Sequence, residues 1–212
     1  MQTFRPVIGI CGGIGSGKSA VAAVLRACGC EVCVSDHVAR MVLEQPEIRA
    51  AIVSRVGSAL LGPDGSIDRA ALGRAIFADE AVRRDIERIM HPRIEAARRL
   101  QFAQAPVSTR AFVIDAPLLL EVGLDRECDA VIFVDAPHAL RAHRVTSTRG
   151  WNADELDRRE RAQLSLETKR ARSTDVIVND CEASELTRRV EEVLGAIIAR
   201  GPRQGRVADG RT

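Results

Sequence analysis

Eight residues constrain this chain more than any others: Gly12-Gly13-Ile14-Gly15-Ser16-Gly17-Lys18-Ser19. They satisfy G-x-x-x-x-G-K-[ST]. The apolar run Val7-Ile8-Gly9-Ile10-Cys11 precedes them and reads as a buried strand. Ala20-Val21-Ala22-Ala23-Val24-Leu25 follows and reads as a helix. A strand, a glycine-rich turn and a helix in that order make a phosphate cradle. Glycine permits positive φ and close approach of the backbone. The turn then points N–H groups at an anion, and the helix N-terminus adds partial positive charge. Gly13, Ile14, Gly15, Ser16, Gly17, Lys18, Ser19 and Ala20 are the expected triphosphate contacts. Lys18 is placed to bridge the β- and γ-phosphates, and Ser19 to ligate Mg²⁺.

Around this loop, short apolar strands alternate with helical stretches. Glu31–Val34, Ala111–Asp115, Ala130–Asp135 and Asp175–Val178 complete a set of five strands. Continuous rather than alternating apolarity marks parallel strands covered on both faces. The expected fold is α/β, a doubly wound five-stranded parallel sheet. Asp36, Asp115, Asp135 and Asn179 fall at strand C-termini, where such sheets bind ligands. Residues 47–102 read as helical throughout, too long for an ordinary crossover. The organisation expected is therefore one domain over 1–200. Its core is 1–36, 110–142 and 173–200, with a helical acceptor-binding insertion at 37–109 and a helical lid at 143–172. Residues 201–212 read as a disordered Gly/Arg-rich tail.

Local signals refine this outline. Gly29 is a C-cap candidate, Asp68 and Ser184 are N-cap candidates, and Gly150 ends a helix from Pro137. The helix after Asp68 carries Leu72, Ile76 and Phe77, and Ala78-Asp79-Glu80 starts the next. His91-Pro92 is expected to kink or restart that helix. Residues 152–172 read as helical and arginine-rich.

Composition excludes several classes. A net charge of +2 gives no bulk electrostatic attraction for nucleic acid. Aromatics are 3% and tyrosine is absent, so base-stacking platforms are unexpected. No apolar run reaches the ~20 residues of a membrane helix, and no signal-peptide pattern is visible. Cys28, Cys30 and Cys33 lack a second Cys/His pair at zinc spacing, so all six cysteines read as free thiols of a cytoplasmic protein. Of 31 basic residues, only Lys18 and Lys169 are lysines. A chain so biased against lysine keeps it where arginine would not serve, and a compact ammonium against phosphate is such a place.

The layout of a core, an insertion after the second strand and an arginine-rich lid is that of small-molecule kinases. No Asn-Lys-x-Asp guanine-reading motif is present. Beyond this, Ile10–Ser19, Asp36-His37-Val38-Ala39-Arg40 and Asp64–Leu72 resemble the dephospho-CoA kinase family. So do Ile76–Asp79, His91-Pro92-Arg93-Ile94, Pro117-Leu118-Leu119-Leu120-Glu121 and Val134–Pro137. Arg144, Arg149, Arg159, Gln163 and Lys169-Arg170 match its lid. The resemblance spans about residues 7–195. Departures are Val34-Ser35-Asp36 for Asp-Ala-Asp, Cys11 and Ala20 for threonines, His37 for arginine, and Val178 for aspartate.

The resemblance implies ATP-dependent phosphorylation of the ribose 3′-hydroxyl of dephospho-CoA, with ATP and Mg²⁺ required. Alternatives are another small-molecule kinase, such as one for nucleoside monophosphates, or a non-catalytic ATP-binding regulatory module. The expected catalytic residues are Lys18, Asp36, Arg144 and Arg149. Arg144, Arg170 and Asn179 join the loop in binding ATP. Asp36, Arg40, His91, Pro117, Leu118, Leu119 and Glu121 are the expected acceptor contacts, and Ser19 and Asp115 the Mg²⁺ ligands. The expected partner is dephospho-CoA alone, with no nucleic acid or membrane, and the state a monomer or weak homo-oligomer.

Overall fold

The computed structural model of the chain describes residues 4–203. The expectation of a tail falls mostly on residues outside that range. The chain divides into two compact units, residues 34–104 and the remainder.

The larger unit is built on a five-stranded sheet, with β1 (Val7–Gly12), β2 (Glu31–Val34), β3 (Phe112–Asp115), β4 (Ala130–Asp135) and β5 (Asp175–Val178). Their spatial order is β2-β3-β1-β4-β5. β1 is central and every one of its residues is buried, which is why its sequence shows no polar alternation. It pairs in parallel with β3, Ile10 opposite Asp115, and with β4, Gly12 opposite Val134. Asp135 of β4 lies opposite Val178. This register brings Cys11, Asp115, Asp135 and Asn179 to one edge of the sheet, the edge from which the glycine-rich turn emerges.

Helices of this unit are α1 (Lys18–Ala27), α6 (His138–Arg149), α7 (Ala153–Arg161), α8 (Leu166–Ala171) and α9 (Ala183–Arg200). The smaller unit is helical, with α2 (Ser35–Leu43), α3 (Pro46–Val56), α4 (Arg69–Ala78) and α5 (Glu80–Ala103). Within it α2, α3 and α4 each pack on α5. Val38, Val42, Ile48, Ile52, Leu72 and Ile86 are buried.

Caps set several boundaries. Asp68 accepts from the amides of Ala70 and Ala71, and Asp79 from those of Ala81 and Val82. Each supplies an acceptor for orphan N–H groups of a first turn, worth about 1 kcal/mol. Gly150 ends α6 in the left-handed conformation at φ +67°.

Other boundaries differ from those the sequence suggests. α5 does not restart at Pro92 but runs for 24 residues through it. Proline forfeits one helical N–H bond, and the buried face that includes Ile86 and Phe102 holds the helix on either side. Residues 152–172 form two helices, because Ser165 caps a fresh start by accepting from Thr168. The position before α9 is Glu182, and Ser184 lies inside the first turn. Phe77 is 95% exposed, although Leu72 of the same helix is buried.

Candidate active site

The site starts with three glycines that no other residue replaces easily. Gly12, Gly15 and Gly17 have φ of +143°, +76° and +91°. A Cβ on Gly12 would lie 2.4 Å from the Val134 carbonyl oxygen, and one on Gly17 only 2.0 Å from Asn179 Nδ2. Asn179 is buried, and its Nδ2 donates to the Ser16 carbonyl at 2.7 Å. Arg144 donates to the carbonyls of Ser16 (3.3 Å) and Asn179 (3.2 Å). Both residues thus brace the outer carbonyls of the turn, so its amides face inward.

Among the described residues, the amides of Gly13, Gly15, Gly17, Lys18 and Ser19 meet no protein acceptor. They are the anion-ready donors. Three amides expected to serve alongside them are engaged. Ser16 N–H donates to the Gly13 carbonyl at 3.2 Å and Ala20 N–H to that of Gly17 at 2.9 Å. Ile14 N–H donates to Glu160 Oε1 at 3.0 Å. Lys18 Nζ lies across the turn, donating to the carbonyls of Gly12 (3.1 Å) and Gly13 (2.8 Å). Burial pulls its pKa down to about 8, with repulsion from Lys169 next and Asp115 opposing both.

Two groups that sequence reasoning missed stand beside Gly13. Arg141, 4% exposed, donates to the carbonyls of Ala136 and Ile14, each at 3.2 Å. It also pairs with Glu160 of α7. Arg141 precedes Arg144 by one helical turn, a spacing that puts both on the loop-facing side of α6. Nothing local in the sequence marks Glu160.

A second cluster lies beside β1. Lys169 is 1% exposed. Its ammonium donates to Glu121 Oε1 at 2.9 Å and to Gln163 Oε1 at 2.8 Å. The same Glu121 oxygen accepts from Leu164 N–H at 3.1 Å. Burial pushes the Glu121 carboxyl up, but the Lys169 ammonium and the amide bonds outweigh it and hold the group below its ordinary value. Cys11 Sγ and Ser173 Oγ share a hydrogen bond at 3.2 Å. Burial, the largest effect, raises the Cys11 thiol.

The remaining expected residues are dispersed. Arg149 and Arg159 both stack on Trp151, with guanidinium carbons 4.9 and 4.1 Å from ring centroids. Arg170 pairs with Asp135 at 2.6 Å. Ser19 is exposed at the start of α1, and Asp115 is half-buried at the end of β3. Pro117 and Leu118 are exposed, whereas Leu119 is wholly buried, so its side chain belongs to the core. A Cβ on Gly9 would meet Leu119 at 2.6 Å. In the smaller unit Asp36 is exposed in the first turn of α2, where it caps nothing. Arg40, on α2, and His91, in mid-α5, are also exposed.

A parallel sheet with a lysine-bearing phosphate turn at its C-terminal edge is the fold of P-loop kinases. A shikimate kinase from Acinetobacter baumannii shares this fold, with a TM-score of 0.51 over 93% of the chain and 96% of its own, at 16% identity. The dephospho-CoA kinase family model matches residues 6–185, and the chain belongs to that family. A dephospho-CoA kinase of Thermobifida fusca is 42% identical, over 88% of this chain and 93% of its own. One from Methylococcus capsulatus is 39% identical, over 87% and 93%. A solved structure from Thermus thermophilus, TT1252, is 32% identical with a TM-score of 0.79, covering 91% of this chain and 98% of its own.

Proposed function

We propose that this chain transfers the γ-phosphoryl group of ATP to the ribose 3′-hydroxyl of dephospho-CoA, giving coenzyme A and ADP. The observation that carries this reading is the family match from residue 6 to 185, which spans both units. The five unpartnered amides supply the donor half. They and the Lys18 ammonium hold the triphosphate, Lys18 exchanging two backbone carbonyls for phosphate oxygens. Arg144 and Asn179 keep the turn in shape from outside. Arg149 and Arg170 are further cations for charge on the phosphates. Asp36 orients the acceptor hydroxyl and receives its proton as the new P–O bond forms and the bond to the β-phosphate oxygen breaks. Arg40, His91, Pro117 and Leu118 serve the acceptor.

The donors available fit magnesium. The Ser19 hydroxyl and the Asp115 carboxylate are hard oxygen ligands, and Mg²⁺ takes one or two of these beside substrate phosphates. When bound, it would neutralise charge on the β- and γ-oxygens. Among the described residues no helix is long and apolar enough to cross a membrane.

The test is a coupled ADP-release assay with ATP, Mg²⁺ and an acceptor panel. Turnover should require dephospho-CoA. Rapid turnover of a nucleoside monophosphate, with none of dephospho-CoA, would overturn the reading.

A further inference from the structure

One backbone amide of the phosphate turn already holds an anion. Ile14 N–H donates to Glu160 Oε1 at 3.0 Å, and Glu160 lies on α7, 146 residues further along the chain. The same oxygen accepts from the guanidinium of Arg141. Arg141 is buried and aimed at this place by its other bonds. Its Nε donates to the Ala136 carbonyl and its Nη1 to the Ile14 carbonyl, each at 3.2 Å. A Cβ on Gly13 would stand 2.9 Å from Arg141 Nη1 and 3.1 Å from Glu160 Oε1. Both groups therefore close directly on the backbone of the turn. An oxygen that accepts from a loop amide and from a fixed guanidinium has the partners of a bound phosphate oxygen.

We propose that Glu160 stands in for a nucleotide phosphate on this turn, and that ATP displaces it and takes over Ile14 N–H and the Arg141 guanidinium. Arg141 is then a phosphate-contacting residue, and Glu160 a latch that competes with the nucleotide. The two anions cannot share the place. Carboxylate and phosphate both need the single Ile14 proton, and at contact distance they repel each other. The displaced carboxylate has somewhere to go, because Glu160 also lines a cavity of about 480 Å³ together with Arg161, Gln163 and Ser165. The inference deepens the donor half of the reading above and rests on it.

The experiment is calorimetric titration of ATP and adenosine into the wild type, E160Q, D157N and the double variant R141Q/E160Q, with a thermal melt of each. A latch closed in about 70–90% of molecules lowers the apparent ATP affinity by about threefold to tenfold. E160Q keeps the shape of the side chain without its charge, so it should bind ATP tighter by that factor. D157N removes the same charge from the same helix, but at a carboxylate that faces His138 at 3.0 Å; its ATP affinity should stay within about twofold of wild type. R141Q/E160Q should lose the gain, because the phosphate then lacks its guanidinium. Adenosine, which carries no phosphate, should bind all four alike. E160Q leaves Arg141 buried without its carboxylate and should melt below the wild type, and saturating ATP should raise its melting temperature more than it raises that of the wild type. ATP affinity in E160Q that is unchanged or weaker would overturn the proposal. So would an equal gain in D157N, a gain that survives in R141Q/E160Q, or an E160Q protein that does not fold even with ATP. A wild type that binds no ATP would instead overturn the ATP reading itself. No acceptor is needed, so the outcome is independent of which one the enzyme uses.

Discussion

Replacing Gly17 by alanine tests how the phosphate turn is held. Two costs are separable. At φ +91° an L-residue is strained by about 1–2 kcal/mol. The new Cβ would also sit 2.0 Å from Asn179 Nδ2, far inside van der Waals contact, so Asn179 must leave. Its departure breaks the 2.7 Å bond to the Ser16 carbonyl in a buried place, worth about 1–3 kcal/mol. Together the expected loss is about 2–5 kcal/mol. At about 2–4 °C per kcal/mol for a chain this long, the melting temperature should fall by roughly 4–20 °C. Gly150→Ala isolates the first cost, because φ there is +67° and no atom lies within 4 Å of the added carbon; it should lose only about 1–2 kcal/mol. Asn179→Ala isolates the second. The double variant G17A/N179A should lose less than the sum of its parts, since the clash has no partner left. Thermal and urea melts of the four variants, with ATP titration of each, read the cycle. Strict additivity, or a Gly17→Ala protein as stable as Gly150→Ala, would refute the idea that Asn179 is what this glycine accommodates.

Lys18→Ala and Asp36→Asn should each lower kcat on the order of 10²-fold or more with the fold retained; near-normal turnover of Asp36→Asn would remove it from the catalytic set. Leu119→Ala opens a cavity under Gly9 and should cost about 2–5 kcal/mol, while at 25 °C its ATP affinity and its KM for acceptor stay within about twofold of wild type. A sharp rise in acceptor KM would return Leu119 to the substrate surface. Glu121 titrates below its ordinary value of 4.5, so its ion pair stabilises the fold above that value and the contribution is lost as pH falls through the lower, folded one. Melts of E121Q/K169M between about pH 5 and pH 3 should therefore fall less steeply than those of the wild type. A parallel decline would show that the pair adds nothing to acid stability.

Much of the sheet is legible in the residues because β1, β3 and β4 are buried on both faces, and burial on both faces leaves an unbroken apolar signature. The turn is legible because its glycines are demanded by backbone geometry. Capping at Asp68 and Asp79 is local chemistry, and local chemistry shows in sequence. Pro92 misleads because the rule it invokes concerns an isolated helix, and here packing on both sides outweighs one missing hydrogen bond. The expectation at Leu119 fails differently: an apolar segment next to a ligand edge gives no hint of which leucine turns inward. Arg141 and Glu160 are separated by 19 residues and pair directly, beside Gly13. Long-range pairings of that kind leave no periodicity to read. Lys169 is the intermediate case. Its rarity flagged it, but only the fold supplied Glu121 and Gln163.

The shortage of lysine has a practical side. Apart from the chain's α-amino group, reagents that acylate amines have two targets. Lys169 is shielded. Lys18 is half-buried and, with a pKa near 8, offers far more neutral amine at mildly alkaline pH than an ordinary lysine. Side-chain amine labelling of this protein is therefore an affinity experiment without a designed ligand. The label reports directly on donor sites left open, ATP should protect against it, and immobilisation through lysine would silence the molecules it captures.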